Sequence, residues 1–239
     1  QKLFDAASSF SFEDPDSTIK LLDIGLEKIE LSNQIFEKDS SEKLRKNYYR
    51  GYFYNSKGIC YYLLNRESEC LESWLKTEKI AKLDNDTNLL LRISNNIAIV
   101  YSTSGREKEA LKIFKDQKKI YETKKDTGGI VTANINISTI IKNKDSAVLL
   151  LNDALYLVQN SASNDHSGAL TNIYANLAIN YIDTNSKKTF SLDKAKSSLD
   201  SLILYANKQS DNESKILYFG TISEYYILKN QYNLALKNA

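Results

Sequence analysis

The fold is decided by the stretch Asn96-Ile97-Ala98-Ile99-Val100-Tyr101, in which a small residue, Ala98, precedes an aromatic one, Tyr101, by three places. The same pairing of a small residue with an aromatic or branched one returns every 40 residues and once more after 45. The small residues are Gly58, Ala98, Ser138, Ala178 and Ser223, and their partners are Tyr61, Tyr101, Ile141, Tyr181 and Tyr226. An internal repeat of roughly 20 to 50 residues is typical of solenoids and arrays. The sequence therefore predicts a repeat architecture.

Each unit continues, after a short polar stretch such as residues 102–105, with a second set of regularly spaced positions. This set comprises a small residue (Cys70, Ala110, Ala147, Ala195, Ala235), a bulky one four places on (Trp74, Phe114, Leu151, Leu199), and a third residue three further (Thr77, Gln117, Ala154, Leu202). Spacings of three and four place side chains on one face of a helix. We therefore predict a helix, a tight turn and an antiparallel helix, with the small residues where the two backbones approach.

The spacing also predicts the bounds of the helices. First helices are expected at 43–63, 87–102, 129–142, 167–183 and 213–228, and second helices at 67–83, 107–124, 145–159, 193–207 and 231–239. Between Tyr181 and Ala195 the chain is 14 residues long, against 9 between Tyr101 and Ala110, so residues 183–192 are predicted to form a loop or an extra turn.

The first fifty residues follow the pattern less closely. An acidic, capping stretch at 13–17 predicts a helix over 17–32, paired with a partial helix near 2–9 and followed by a loop over 33–41. We therefore divide the chain into N-terminal helices with a partial first repeat at 1–50, and a continuous repeat solenoid with a truncated last repeat at 51–239.

The regularly spaced positions of the two helices, each set of equivalent positions being called a column, resemble the tetratricopeptide repeat (TPR). Its consensus has a leucine-like residue, Gly or Ala, Tyr, a turn Gly, Ala and Phe. The best unit is 96–101, followed by Gly105, Ala110 and Phe114. The resemblance covers about residues 51–239, with a period of 40 instead of the usual 34 or so, and with Gln117 where a small residue is expected. It implies an all-α fold, an α-α superhelix of about five to six helix-turn-helix repeats.

Composition argues against several functional classes. A net charge of +2, from 32 basic and 30 acidic residues, gives no reason to expect direct contact with nucleic acid. One histidine, His166, and two cysteines supply no zinc set, and Gly128-Gly129 is an isolated pair, not a phosphate loop. We therefore expect no enzymatic activity and no cofactor. The sequence contains neither a membrane-spanning apolar run nor a signal peptide, which leaves cytoplasmic and periplasmic locations open.

A column of asparagines marks the candidate binding face. Asn96, Asn136 and Asn176 precede the small residues by two places, a rotation of about 200° that points them away from the partner helix. An amide both donates and accepts hydrogen bonds, so it can pair with a peptide backbone of any sequence. In proteins that resemble this one, asparagines on the concave face commonly hold extended peptides. The candidate partner-binding residues are Asn96, Asn136, Asn176, Asn95, Arg92, Ile99, Thr139, Asn172 and Ile179.

Two functional hypotheses follow. The first is a peptide- or protein-binding scaffold, because the opening Asp14-Pro15-Asp16-Ser17 ahead of 40-residue units resembles the sensory regions of bacterial signalling or transcription regulators. Such regulators often carry a kinase or DNA-binding domain after the repeats, and the sequence stops inside a predicted helix at Ala239, so we expect a continuation. The alternative is a self-association module that forms a homodimer through the tyrosine-rich first repeat, residues 48–62, or through the last repeat.

Overall fold

The computed structural model describes residues 14–33, 40–161, 166–209 and 212–238, and the regular structure in these ranges is α-helix throughout. The helices are α1 (Pro15–Asn33), α2 (Ser40–Leu63), α3 (Glu67–Leu83), α4 (Thr87–Thr103), α5 (Glu107–Lys124), α6 (Thr127–Ile140), α7 (Lys144–Gln159), α8 (Ser167–Ile182), α9 (Leu192–Gln209), α10 (Asn212–Leu228) and α11 (Tyr232–Asn238). The all-α prediction is confirmed. Helix bounds differ from the predicted ones by at most three residues, at Ser40, and the predicted helix near 2–9 and positions 34–39 of the predicted loop lie outside the described residues.

The chain divides into two compact units, with the boundary between Ile113 and Phe114 inside α5. In the N-terminal unit α1 packs on α2, α2 on α3, and α3 on α4. In the C-terminal unit the antiparallel pairs are α6 with α7, α8 with α9, and α10 with α11. There, α8 also packs on α6 and α7, and α10 on α8 and α9, so each new first helix contacts both helices of the preceding pair. The division of the sequence at residue 50 stays a prediction.

The predicted columns form the core. All five small residues of the first helices and all five of the second helices are buried, and so are the bulky residues four places on. Among the partners of the first column, Tyr181 is buried and the other four are half-buried. Small side chains let two helices approach closely enough for large neighbours to fill the remaining space. The repeat spacing therefore identified the packed face of both helices in each 40-residue repeat.

The turns recur every 20 residues, half the 40-residue period of the sequence repeat. Asn65, Asn85, Gly105 and Lys125, each 20 positions after the previous one, have φ of 55°, 54°, 80° and 55°. At each turn the next N–H donates to a carbonyl five residues back, as from Arg66 to Tyr61 at 2.8 Å. A left-handed residue with this bond is the Schellman motif that ends helices. These turns set the antiparallel pairing, and the predicted helix bounds leave a break at each of them.

Lys125→Gly is expected to raise the free energy of unfolding by about 0.5–1 kcal/mol, because a residue with a side chain is strained at positive φ and glycine is not. Lys124→Gly, one residue earlier in the last turn of α5, is the matched control and should lower stability by about 1 kcal/mol. Urea unfolding followed by circular dichroism measures both. A loss of stability in Lys125→Gly would contradict the assigned turn geometry.

Candidate partner-binding surface

The predicted binding residues lie on the first helices and none of them is buried. In the N-terminal unit, α4 carries Arg92, Asn95, Asn96 and Ile99; in the C-terminal unit, α6 carries Asn136 and Thr139, and α8 carries Asn172, Asn176 and Ile179. Arg92, Thr139, Asn172 and Ile179 are exposed and the other five are half-buried. The three asparagines two places before the small residues are all half-buried, so none belongs to the core, and their orientation toward a ligand stays a prediction.

The amides on α8 are partly engaged by their own helix. Asn176 Nδ2 donates to the carbonyl oxygen of Asn172 at 2.8 Å, and Asn180 Nδ2 donates to the carbonyl of Asn176 at 2.7 Å. One of the two Nδ2 hydrogens of Asn176 is thereby engaged, which leaves its second N–H and its Oδ1 for a ligand. The expectation that these amides serve a ligand as both donor and acceptor stays a prediction.

A pocket of about 380 Å³ opens between the C-terminal ends of α8 and α10. Its lining consists of Ile179, Ile182, Asp183, Thr184, Glu224, Ile227 and Leu228. Four of these side chains are aliphatic and two are carboxylates. Of the nine predicted residues, only Ile179 contributes to the lining. Ligand sites are typically concave and mostly apolar with a few polar groups, and this open recess shares that composition.

The repeat itself contains the signal for this pocket. Ile179 follows the small residue Ala178 by one place, and Glu224 follows Ser223 by one place, so the two occupy the same position in successive repeats. The prediction followed this column through Ile179 and did not extend it across the 45-residue step to Glu224. The same relation holds for Ile182 and Ile227, four places after the small residues. The pocket is therefore formed by equivalent positions on two adjacent first helices.

The pocket opens where α8 gives way to a loop. Asp183 ends the helix with extended backbone, φ −68° and ψ 103°, and the chain stays irregular until α9 begins at Leu192. The N–H of Ser191 donates to the carbonyl of Tyr181 at 2.9 Å, and Lys188 Nζ lies 3.2 Å from Asp145 Oδ2. The extra length predicted for residues 183–192 is thus a loop. A backbone hydrogen bond joins its flanks, an ion pair attaches it to α7, and its first residues line the pocket.

Hydrogen bonds hold Asp183 in its charged form. The N–H and the Nδ2 of Asn185 donate to Asp183 Oδ1 at 2.9 and 3.0 Å, and Lys144 Nζ lies 3.5 Å from Oδ2. The bond from the Asn185 backbone is the main reason that the pKa of Asp183 lies below its usual value, with a smaller contribution from Lys144. The carboxylate therefore gives the pocket a negative charge at neutral pH.

A second, polar depression adjoins the first. It has a volume of about 250 Å³ and is lined by Lys142, Asn143, Lys144, Asp145, Asp183, Asn185 and Ser186. Asp183 lines both cavities. The surface at the end of α8 therefore combines an apolar recess with a polar, mixed-charge rim.

In the described ranges, no group of three or more histidine, cysteine, aspartate and glutamate side chains could hold a metal ion. Burial raises the pKa of Cys60 to about 11 and that of Cys70 to about 12, so both remain protonated thiols packed in the core. None of the described helices combines the length and the apolar character needed to cross a bilayer.

Comparisons with known proteins bear on the fold. No protein-family model matches the sequence, and no curated protein does. Solved structures do match: BtubC (BKLC) from P. vanneervenii has a TM-score of 0.68 at 14% identity, covering 95% of this chain and 88% of that one. The apo form of RapI has a TM-score of 0.60, also at 14% identity, covering 99% of this chain and 93% of that one. The fold class is the α-α superhelix. At this identity the likeness carries the fold alone.

Proposed function

We propose that this chain is a non-catalytic, TPR-like interaction domain that binds a peptide or an exposed protein segment on its first helices. The observation that carries the proposal is the apolar pocket between α8 and α10, which lies on the same helix as two of the predicted asparagines. Asn172, Asn176 and Ile179 are spaced by four and three residues, so they form one face of α8 that leads into the pocket. This face offers an anchor for one ligand side chain and amides for the ligand backbone.

The two parts of the surface have different roles in this proposal. Burial of a ligand side chain against Ile179, Ile182 and Ile227 supplies most of the affinity, since removing apolar area from water is favourable whatever the ligand's sequence. The Oδ1 of Asn176 accepts an N–H of the ligand backbone and fixes its register. The polar rim at Asp183 selects among ligands by charge.

The binding domain is proposed to be the sensory or scaffold part of a bacterial signalling or transcription regulator. The support for this is the resemblance of the opening residues 14–17 and of the 40-residue units to such regions. A kinase or DNA-binding domain encoded by the same gene is the expected result of sequencing the full reading frame. A reading frame that ends without such a domain would contradict this part of the proposal.

Peptide binding can be tested without knowing the natural partner. Random short peptides displayed on phage are selected against the immobilised chain, and the affinity of a labelled selected peptide is measured by fluorescence anisotropy. The double variant Asn136→Ala/Asn176→Ala is expected to weaken binding by about 1–3 kcal/mol, since each neutral hydrogen bond usually contributes about 0.5–1.5 kcal/mol. Its melting temperature should stay near that of the parent, because neither residue is buried.

The matched control is Asn152→Ala/Asn207→Ala, which removes two exposed amides from the second helices α7 and α9. This control should bind the peptide as the parent does. Equal losses in the two double variants, or no loss in either, would show that the asparagines on the first helices take no part in binding.

Self-association is the second candidate, and exposed apolar side chains on α10 and α11 favour it. Ile216, Tyr232 and Leu236 are all exposed, Leu236 at 80%. If this surface forms a homodimer, sedimentation velocity will reveal a dimer whose population rises with concentration, and Leu236→Lys will abolish it. A monomer at all concentrations rejects this alternative, and a dimer that persists in Leu236→Lys removes α11 from the interface.

A further inference from the structure

The charges around the α8–α10 pocket identify the chemistry of its ligand. We propose that the pocket takes a basic side chain, Lys or Arg, whose aliphatic stem lies on the isoleucines and whose charged head meets Glu224 and Asp183. The inference rests on the proposed function, since it names the kind of residue that the bound segment places in the pocket. It makes the occupant a segment in which a basic residue stands beside apolar ones.

The walls suit the stem of such a side chain. Ile179 and Ile182 from α8 face the cavity together with Ile227 and Leu228 from α10. Lysine and arginine carry three or four methylene groups that favour apolar surroundings while the head remains in water. Ile179 and Ile227 are themselves exposed, so a stem laid over them removes apolar surface from water on both sides.

The two carboxylates lie where the backbone already disfavours anions. Asp183 immediately follows the last residue of α8, and Glu224 lies four residues before the end of α10 at Leu228. The C-terminal end of a helix carries a partial negative charge and stabilises cations. Two helix ends and two carboxylates thus contribute negative potential to one cavity.

Only part of this negative charge is balanced within the chain. Lys144 lies 3.5 Å from Asp183. The side-chain carboxylate of Glu224 forms neither a hydrogen bond nor an ion pair with any residue that the structure describes. The nearby Lys229 places its Nζ 5.7 Å from the centroid of the Tyr225 ring. The pocket therefore keeps a net negative charge that an arriving ammonium or guanidinium group can balance.

The geometry favours a cationic occupant over an anionic or a purely aliphatic one. A carboxylate entering the pocket would meet Glu224 and the negative helix ends, which is unfavourable. An aliphatic side chain would fill the walls and leave the charge of Glu224 without a counter-ion. A basic side chain satisfies both the apolar walls and the carboxylates, which is the complementarity that gives binding its specificity.

The test uses the peptide recovered by phage selection on the full chain. We expect a basic residue next to aliphatic ones in the recovered sequences, and replacing that residue by norleucine should reduce affinity. Glu224→Gln should weaken binding of the basic peptide about two- to fivefold, the effect of one partly exposed ion pair, and leave the norleucine peptide unchanged. Glu224→Lys should reverse the preference, so that a peptide with glutamate at that place binds better than the basic one. Asp153→Asn, which removes an exposed carboxylate from α7 outside the pocket, is the control and should change neither.

The outcomes separate this inference from the proposed function. Loss of peptide binding in Ile179→Asp supports the binding function. If, in that case, the peptides need no basic residue, or if Glu224→Gln and Glu224→Lys leave their affinity unchanged, the inference is overturned and the binding function stands. If no peptide is recovered, or if binding is indifferent both to Ile179→Asp and to the loss of Asn136 and Asn176, the inference and the binding function fall together. Thermal melts of each variant establish that it is folded.

Discussion

Phe114→Ala is expected to lower the free energy of unfolding by about 3–5 kcal/mol, the range for removing a large aromatic side chain from a packed core. Phe114 is only 1% exposed and is the largest of the fully buried side chains among the described residues. It occupies the bulky position of the second helix that Trp74, Leu151 and Leu199 occupy in other units. Truncation there removes favourable burial and leaves a cavity that the neighbouring helices can fill only in part.

Urea unfolding followed by far-ultraviolet circular dichroism measures this effect. The matched control is Tyr156→Ala, which removes an aromatic ring of similar size from a position on α7 that is 66% exposed. Its stability should change by no more than about 0.5 kcal/mol. Similar unfolding midpoints for the two variants would mean that the second-helix column does not form the core.

Gly58→Ala is expected to lower the free energy of unfolding, although alanine in place of a helical glycine usually raises it. An added Cβ at Gly58 would lie 2.2 Å from Trp74 Nε1 and 2.4 Å from its Cδ1, far inside contact distance. The indole cannot retreat without cost, because it is buried and its Nε1 donates to the carbonyl of Asn55 at 3.2 Å. We expect a loss of about 1–3 kcal/mol from this overpacking, even though alanine favours a helix more than glycine does.

Gly220→Ala supplies the opposite case in the same kind of helix. Gly220 lies inside α10, is exposed, and would have no atom within 4 Å of an added Cβ. The substitution should therefore raise stability by about 0.5–1 kcal/mol through helix propensity alone. Thermal or urea unfolding of the pair measures both signs. If Gly58→Ala is more stable than the parent, α2 and α3 do not approach closely at Gly58.

The helices and their packed faces could be predicted because both depend on local spacing. Ala98 and Ala110 belong to columns that repeat, and burial of one apolar face is what holds a helix in a protein of this kind. The turns were harder, since Asn65, Asn85 and Lys125 adopt the conformation usually assigned to glycine, and the carbonyl partners that hold them come from the helix already formed. The spacing leaves a break between helices at all four turns, whereas residue type indicates left-handed backbone at Gly105 and gives no such signal at Lys125.

The binding surface could be predicted only in part. Rotation on a helix placed Asn176 and Ile179 outside the core, which the spacing alone determines. The pocket depends on the approach of α8 and α10, and thus on how the loop after Asp183 directs the chain into α9. Neither the hydrogen bond from Asn176 to its own helix nor the contribution of Glu224 follows from the type of either residue. The repeat places Glu224 in the same position as Ile179, but how closely the two helices approach depends on tertiary packing, which periodicity does not specify.

The most direct test of the account is to map where a bound peptide touches the chain. Amide chemical shifts of the isotope-labelled protein would be followed by nuclear magnetic resonance during titration with the peptide recovered by phage selection. We predict that the largest changes fall at residues 176–184 of α8 and its loop and at residues 224–228 of α10, with smaller changes at Asn136. Changes confined to the second helices α7 and α9, or changes at Ile216 and Leu236 that grow with protein concentration in the absence of peptide, would contradict a peptide-binding surface on the first helices.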